Sequence, residues 1–484
     1  MNKIFTFLLS LLICSTASYA QSEATYVAKI KKNGRYGLVS NTGKILVQPQ
    51  FDQIEGFFEN VALVQKDGKW GYVDRTGKVI LPPEYDEAWS FNNGIGGIKK
   101  EGKYGFVDKT GKVIIPLQYE KIENFGADLK PFRENGKWGF LDKSGNVKIA
   151  AQYDYVRSFS SGLAPFNVGG RPVGESAMLG GKWGYINESG IEIIAPTYED
   201  AWSFVEGLAA VKTANKWGYI NPSGKMAIAA AFKSCGNFNN GVALIEKEGG
   251  YGFIDSKGKV ITNPQFVTIG GTFVEDNMEV MKAGKWGFVN RQGKVIVYPS
   301  YDEVRRFSDG LAAVRKGKKW GYVDKTGKLI VPIQFDNVFS FNDGITMIQA
   351  GGKWGCIDKA CKKIVDPQYE EMSWSFNEGL AVIKKDGKYG YIDNKGKVII
   401  QPQFTDAEDF KDGLAAVNKD GTWGYIDKTG NMIIPAQFDD ANSFSAGIAP
   451  ASKNGKWGYI NKSGSFVITP QFDEAQTFVN INAQ

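Results

Sequence analysis

Apolar and polar residues alternate in short runs along most of this chain, and the runs are closed at regular intervals by Gly, Asp and Asn. Residues Val61 to Gly94 serve as the example. VALVQK alternates with a period of two and predicts a strand. Asp67-Gly68 follows, a pair that favours the two-residue hairpin turn with positive φ at both positions. KWGYVD predicts a second strand. Asp74 to Gly77 then fits a type I turn closed by a left-handed Gly. KVIL predicts a third strand and runs into Pro82, which cannot donate to a ladder, so pairing is expected to stop or to reach an edge there. A segment P-x-Y/F-D and a later Phe lead into the next run.

This order recurs. An aromatic-Gly pair begins at Tyr36, Trp70, Tyr104, Trp138, Trp183, Trp217, Tyr251, Trp286, Trp320, Trp354, Tyr389, Trp423 and Trp457. Successive pairs are 34 or 35 residues apart, with one gap of 45 between Trp138 and Trp183. Such a fixed period is the mark of a repeat architecture, so the array is thirteen units and not the three domains that 484 residues would otherwise suggest. Each unit carries three aromatic slots: the ring before Gly, the Tyr or Phe of P-x-Y/F-D (Phe51 to Phe472), and the later Phe (Phe57 to Phe478). A unit of about 34 residues is too small to fold alone, so neighbours must complete its core. The repeated rings are therefore expected to pack between units, and the Gly after each first ring to allow a close backbone approach.

The string G-K-W-G-Y-V/I-D-K-T/S-G-K-V/I-I-x-P-Q-F/Y is clear at Gly68–Tyr85, Gly136–Tyr153, Gly352–Tyr369 and Gly455–Phe472. It resembles the WG (KWG) repeat family, and the resemblance extends over residues 25 to 478. What it implies is an all-β, mainly bacterial protein, often secreted, with no general catalytic function to carry over. The expected fold is thus an all-β tandem array of thirteen three-stranded antiparallel units forming an open β-superhelix or solenoid, because thirteen exceeds the usual blade number of one propeller. Two β-propellers are the alternative.

The N-terminus MNKIFTFLLSLLICSTASYAQ has Lys3, an apolar run from Ile4 to Ile13, and small Ser18 and Ala20 before Gln21. That is the pattern of a signal peptide over residues 1–20, leaving 21–484 as the repeat array in the periplasm or outside the cell. Cys14 follows Ile13 where a lipoprotein would carry a small residue, which argues against lipidation. No second apolar stretch of spanning length follows, so no transmembrane segment is expected after cleavage. The net charge of +6 is spread among mixed charges, which excludes a nucleic-acid groove as the leading reading. The chain has no His, so a Ser-His-Asp site and any imidazole metal ligand are excluded.

Candidate chemistry is sparse. The acid pairs Asp86-Glu87, Glu370-Glu371 and Asp439-Asp440 occupy one repeated slot, whereas catalytic pairs need individually tuned surroundings. No catalytic residue, metal ligand or cofactor is assigned. Cys356 and Cys361 flank a tight turn in CIDKAC, and in an oxidising compartment a Cys356–Cys361 disulfide is a candidate. Cys235 is left as an odd, buried thiol. Two residues before the later Phe the slot is mostly polar and varies, yet it holds Trp89, Trp202, Phe339 and Trp374. Rings there, beside acids, are candidate platforms for sugar or peptide. The longer gap places a Gly-rich loop insertion at residues 167–181, whose one cation, Arg171, is the other candidate binding residue. The reading is a non-enzymatic exported scaffold whose partner is a protein or a cell-envelope glycan. A carbohydrate-binding envelope module is the alternative, and a glycoside hydrolase ranks below both.

Overall fold

The computed structural model describes residues 26–123, 127–173 and 177–481. The signal-peptide and Cys14 expectations fall on residues outside these. Among the described residues the chain forms thirteen small antiparallel sheets, all but the first of four strands. We number the sheets as blades 1 to 13, in the order of their aromatic-Gly pairs from Tyr36 to Trp457.

Blade 2 shows how the sequence makes a blade. Its strands are Gln53–Phe58, Val61–Lys66, Lys69–Asp74 and Val79–Tyr85. Asp67 and Gly68 take φ of 51° and 77°, the expected hairpin geometry. At the next turn the Gly77 amide donates to the Asp74 carbonyl at 3.0 Å, and the Asp74 carboxylate accepts the Thr76 and Lys78 amides at 2.8 and 2.9 Å.

The prolines fall where expected: the fourth strand is the outer edge of its sheet, and its ladder breaks across them before resuming at Tyr85. Leu81 stands opposite Tyr72 and Tyr85 opposite Trp70, so residues 82–84 bulge over the single residue Gly71. A Cβ on Gly71 would lie 2.4 Å from the Leu81 carbonyl oxygen. The Gly that follows each first ring is thus required by the bulge crossing it, as the close-approach reading holds. One expectation needs correction, and it concerns the unit itself. The return segment after P-x-Y/F-D is a strand, and it pairs with the first hairpin of the following unit: Glu87–Asn92 runs antiparallel to Ile95–Lys100. Units of three strands therefore become blades of four, each borrowing its first strand from the linker behind it.

That donation closes the molecule. The last return segment, Glu474–Ala475, has no following unit and pairs with Tyr26–Lys32 of blade 1. The Asp473 and Gln476 amides donate to the Lys31 and Lys29 carbonyls at 2.8 and 3.0 Å. Ala28, Ile30 and Val39 share a core with Tyr459, Ile468, Phe472 and Phe478, and Ile481 packs with Val27 and Leu38. The architecture is a single closed propeller of thirteen blades, neither an open superhelix nor two propellers. An open array would leave the paired edge of blade 1 bare. A split into two rings would need a second such closure, and each blade instead packs on the next in sequence.

The core lies between blades. The residue after the aromatic-Gly pair is the most deeply buried: Tyr72, Tyr185, Tyr219, Tyr322, Tyr391, Tyr425 and Tyr459 are at most 1% exposed. Each ring meets the later Phe of the next blade, as in Tyr72 with Phe91 at 5.0 Å and Tyr459 with Phe478 at the closure, also at 5.0 Å. Each hydroxyl donates to a carbonyl on the next blade's first strand or the residues after it, for example Trp202 from Tyr185 and Gln476 from Tyr459, at 2.8 and 2.9 Å. This slot was not among the three aromatic slots singled out above. The ring before Gly is less buried than expected, half-buried in most blades.

Candidate functional site

The repeated acids have structural partners. Asp86 accepts Lys69 Nζ at 2.5 Å and the Glu101 amide at 2.7 Å, which together hold its carboxyl below the usual range. Glu87 pairs with Lys99 at 2.6 Å. Asp439 accepts the Gly455 amide and Asp440 the Ala441 amide, at 3.0 and 2.8 Å. In several blades an acid, such as Glu59, Glu206 or Asp412, sits at positive φ in the turn before the second strand. Glu59 accepts the Asn93 and Gly94 amides at 2.7 and 2.9 Å, Glu206 those of Asn240 and Gly241 at 2.6 and 2.8 Å, and Asp412 that of Gly447 at 2.9 Å. Each reaches the equivalent turn of the following blade, so the acids link neighbours around the ring.

The variable slot proves to be a cover for the ring before Gly in the same blade. Trp89 stacks on Tyr104 at 5.4 Å and Trp202 meets Trp217 edge-on at 5.5 Å. Phe339 lies against Trp354 at 5.2 Å. Where the slot holds Arg, the guanidinium does the same: Arg157 over Trp183 and Arg305 over Trp320, each at 4.5 Å. Trp89, Trp202 and Phe339 are accordingly half-buried.

Trp374 differs, because its unit carries one extra residue. The Ser373 amide donates to the Val382 carbonyl at 2.9 Å, and the Phe339 amide donates to the Met347 carbonyl at 3.0 Å in the equivalent place. Ser373 therefore occupies the slot and Trp374 is the residue pushed out of it, 78% exposed. Its indole stacks on Phe339 of the preceding blade at 5.4 Å. Of the candidate binding residues, Phe339 and Trp374 are brought together. Trp89, Trp202 and Arg171 stand on blades 3, 6 and 5.

The insertion at 167–181 is not a loop. It extends the hairpin of blade 5 into a two-stranded ribbon, Leu163–Val173 with Ala177–Asn187, in which Arg171 is exposed opposite Leu179. The Cys356–Cys361 disulfide is not formed; both are free thiols. The two lie on opposite faces of one blade. Cys356 is buried with Met347 and Val365 against blade 11, while Cys361 packs toward Ile330 and Phe335 of blade 9. Burial pushes the Cys356 thiol up to about 11. Cys235 is buried, with its thiol also raised to about 11 by burial.

A cavity of about 500 Å³ opens beside Trp374, between the first strands of blades 11 and 12. Trp374, Tyr389, Glu371, Glu408, Asp409 and Ser443 line it. Ser373 Oγ donates to Asp409 at 2.9 Å, Ser443 Oγ to Glu408 at 2.7 Å, and Tyr389 Oη to Glu371 at 2.9 Å. Lys384 holds the Glu371 carboxyl below its usual range, whereas burial raises that of Glu408. A second cavity of about 300 Å³, between blades 10 and 11, is lined by Trp374 together with Thr346, Met347 and Phe376. Apart from Trp374 none of these was a candidate binding residue: Glu371 entered the sequence reading only in a repeated acid pair and Tyr389 only as a repeated ring. The readable signal was the extra residue in the tenth unit, which falls beside them. No group of Cys, Asp and Glu side chains among the described residues is arranged to hold a metal ion, and no helix among them is long and apolar enough to cross a membrane.

With the blades and their seams laid out, the class is plain: a closed propeller assembled from tandem WG units. The chain belongs to the WG containing repeat family, which matches thirteen successive segments from 36–70 to 457–480, interrupted only at the blade 5 ribbon between 171 and 183. No curated protein matches it. Solved structures similar to it include a eukaryotic initiation factor (11% identity, 87% of this chain and 97% of that chain, TM-score 0.28). Another is the extracellular domain of the putative hybrid two component system BT3049 from B. thetaiotaomicron (9%, 90% and 75%, 0.23). A third is PorZ, a surface component of the type-IX secretion system of Porphyromonas gingivalis (12%, 87% and 76%, 0.21). At these values the likeness bears on neither blade number nor function.

Proposed function

We propose that this protein is an exported, non-enzymatic binding scaffold: a rigid ring that presents a few unrepeated surface features to a protein or glycan partner of the cell envelope. The observation that supports it is the division of labour among side chains. The repeated rings, tyrosine hydroxyls and turn acids are engaged in holding blade to blade. Among the described residues the unrepeated features include the blade 5 ribbon and the cavities beside Trp374. A ring of interlocked blades resists deformation, and a rigid site loses little entropy on binding. The carbohydrate-binding alternative is favoured by one observation, the exposed indole of Trp374.

The test is capture and assay with the whole chain. Immobilised protein incubated with an envelope extract is expected to retain a partner that soluble protein competes away. The same protein incubated with polysaccharides is expected to release no reducing ends. Release that disappears on substitution of Glu408 would replace the scaffold with a glycosidase.

A further inference from the structure

We propose that the cavity walled by Trp374, Tyr389 and Glu408 is a binding site for an uncharged oligosaccharide, laid across the Trp374 indole. This deepens the scaffold reading and rests on it. The ring comes first. In blades 3, 6 and 10 the slot ring covers its own blade's aromatic residue, but Trp374 has been displaced from that task by Ser373. Trp374 is 78% exposed and yet held, because Phe339 and Trp354 stack behind it in series at 5.4 and 5.2 Å. An apolar ring fixed in water is costly unless it meets a ligand, and its being fixed lowers the entropy lost on binding. Tyr298 is as exposed, but it lies on blade 8 and lines neither cavity.

The lining sets the ligand's chemistry. Ser373, Ser443 and Tyr389 carry hydroxyls, and Glu371, Glu408 and Asp409 carry carboxyls, each already hydrogen-bonded to one of those hydroxyls. Paired groups of this kind both donate and accept, which suits a ligand whose hydroxyls must do both. A cation would use acceptors alone and would meet Lys384 and Lys411 at the same site. Cavities of about 500 and 300 Å³, both lined by Trp374, accommodate a chain of several sugar rings with its middle ring over the indole.

The experiment is calorimetric titration of the full chain with neutral trisaccharides (cellotriose, N-acetylated chitotriose, maltotriose and mannotriose) and with tri-lysine. At least one trisaccharide is expected to bind saturably at one site, and Trp374→Ala to weaken it roughly tenfold or more, the loss of about 1.4 kcal/mol. Trp89→Ala, at a covered slot ring, is the control expected to leave affinity unchanged, with melting curves confirming both folds. Absence of binding by every trisaccharide, binding that survives Trp374→Ala, or binding of tri-lysine alone overturns the proposal. Envelope capture repeated with the Trp374→Ala chain separates the two readings. Capture that persists while every trisaccharide fails leaves the scaffold standing and removes the saccharide site. Saccharide binding without any competable capture removes the scaffold.

Discussion

The seam between blades 9 and 10 and the seam between blades 10 and 11 are built from the same slots, yet at the second a cavity of about 300 Å³ opens, lined by Thr346, Met347, Trp374 and Phe376. At the first, Tyr322 is fully buried, donates to the Phe339 carbonyl, and meets the Phe341 ring at 4.8 Å. At the second, Cys356 stands where the tyrosine would be, so ring and hydroxyl are both missing. The extra residue then falls in the facing segment, and Phe376 is only half-buried where Phe341 is 1% exposed. Cys361, at φ 65°, replaces the turn Gly of the same unit. Three departures thus fall in one unit, and two of them, Cys356 and the extra residue, meet at the seam beside the exposed indole, while Cys361 faces blade 9. Where a repeat is otherwise strict, deviations that cluster in space mark the place under a different demand.

The largest effect on this comparison comes from opening the ring. Ending the chain at Asp473 removes the borrowed strand of blade 1 and bares Val27, Ala28 and Ile30, which are at most 2% exposed. Loss of the buried Ala475, Phe478 and Ile481 should cost on the order of 5 kcal/mol, read as a lower urea midpoint. A truncated chain as stable as the parent would mean that the closing seam is not equivalent to the regular ones. Next in size, Tyr322→Ala in the regular seam is expected to cost about 3–5 kcal/mol. Cys356→Ala in the open seam, where there is no ring to lose, should cost less than about 1.5 kcal/mol. Equal losses at both positions would remove the distinction between the seams.

Much of this could be read from residues. Asp67-Gly68, the Asp74–Gly77 turn and the aromatic-Gly period gave the strands, their order and the interblade role of the rings, because these are local or strictly periodic signals. Closure was not legible. The strand Glu474–Ala475 is too short and too like its twelve counterparts to show that its partner is residue 30. Whether thirteen blades meet depends on the summed angle of many seams, which no single unit encodes. The prolines were legible as an edge, because they lie on the outermost strand where the ladder breaks over Gly71. The cavity escaped notice because counting back from the later Phe placed Trp374 in the slot, and only the hydrogen bond from Ser373 reveals the shift. CIDKAC likewise reads as a turn with two thiols, but Cys356 lies in a strand facing blade 11 while Cys361 sits in the turn at φ 65° and faces blade 9, so the two thiols serve different seams.

A smaller effect isolates the hydroxyl alone. Tyr391 donates to the Glu408 carbonyl at 2.7 Å, so Tyr391→Phe keeps the ring and is expected to cost about 1 kcal/mol. Chemical denaturation of the two chains measures it, and a loss as large as that of Tyr322→Ala would assign the seam's strength to the hydrogen bond and not to the ring.

The last contrast is in pH. The turn acids Glu59 and Glu378 have carboxyls below their usual value of 4.5, chiefly through Lys109 and Lys428. Their contribution to stability is complete above 4.5 and is lost as pH falls through the lower folded value. Glu408, beside the cavity, runs the other way. Burial raises its carboxyl above 4.5, with Ser443 and Lys411 opposing and Asp440 assisting. Its protonated form suits the fold, so its contribution is complete below 4.5 and declines as pH rises through the raised value. Urea unfolding at pH 4 and pH 7 should therefore separate two variants. Glu59→Gln is expected to be weaker than the parent at pH 7, with the deficit shrinking toward pH 4 and below. Glu408→Gln, which keeps an uncharged polar group, is expected to gain on the parent between pH 4 and pH 7. If both variants follow the same trend, the buried acid of the cavity behaves as one more link between blades, and the chemical difference between the two regions is gone.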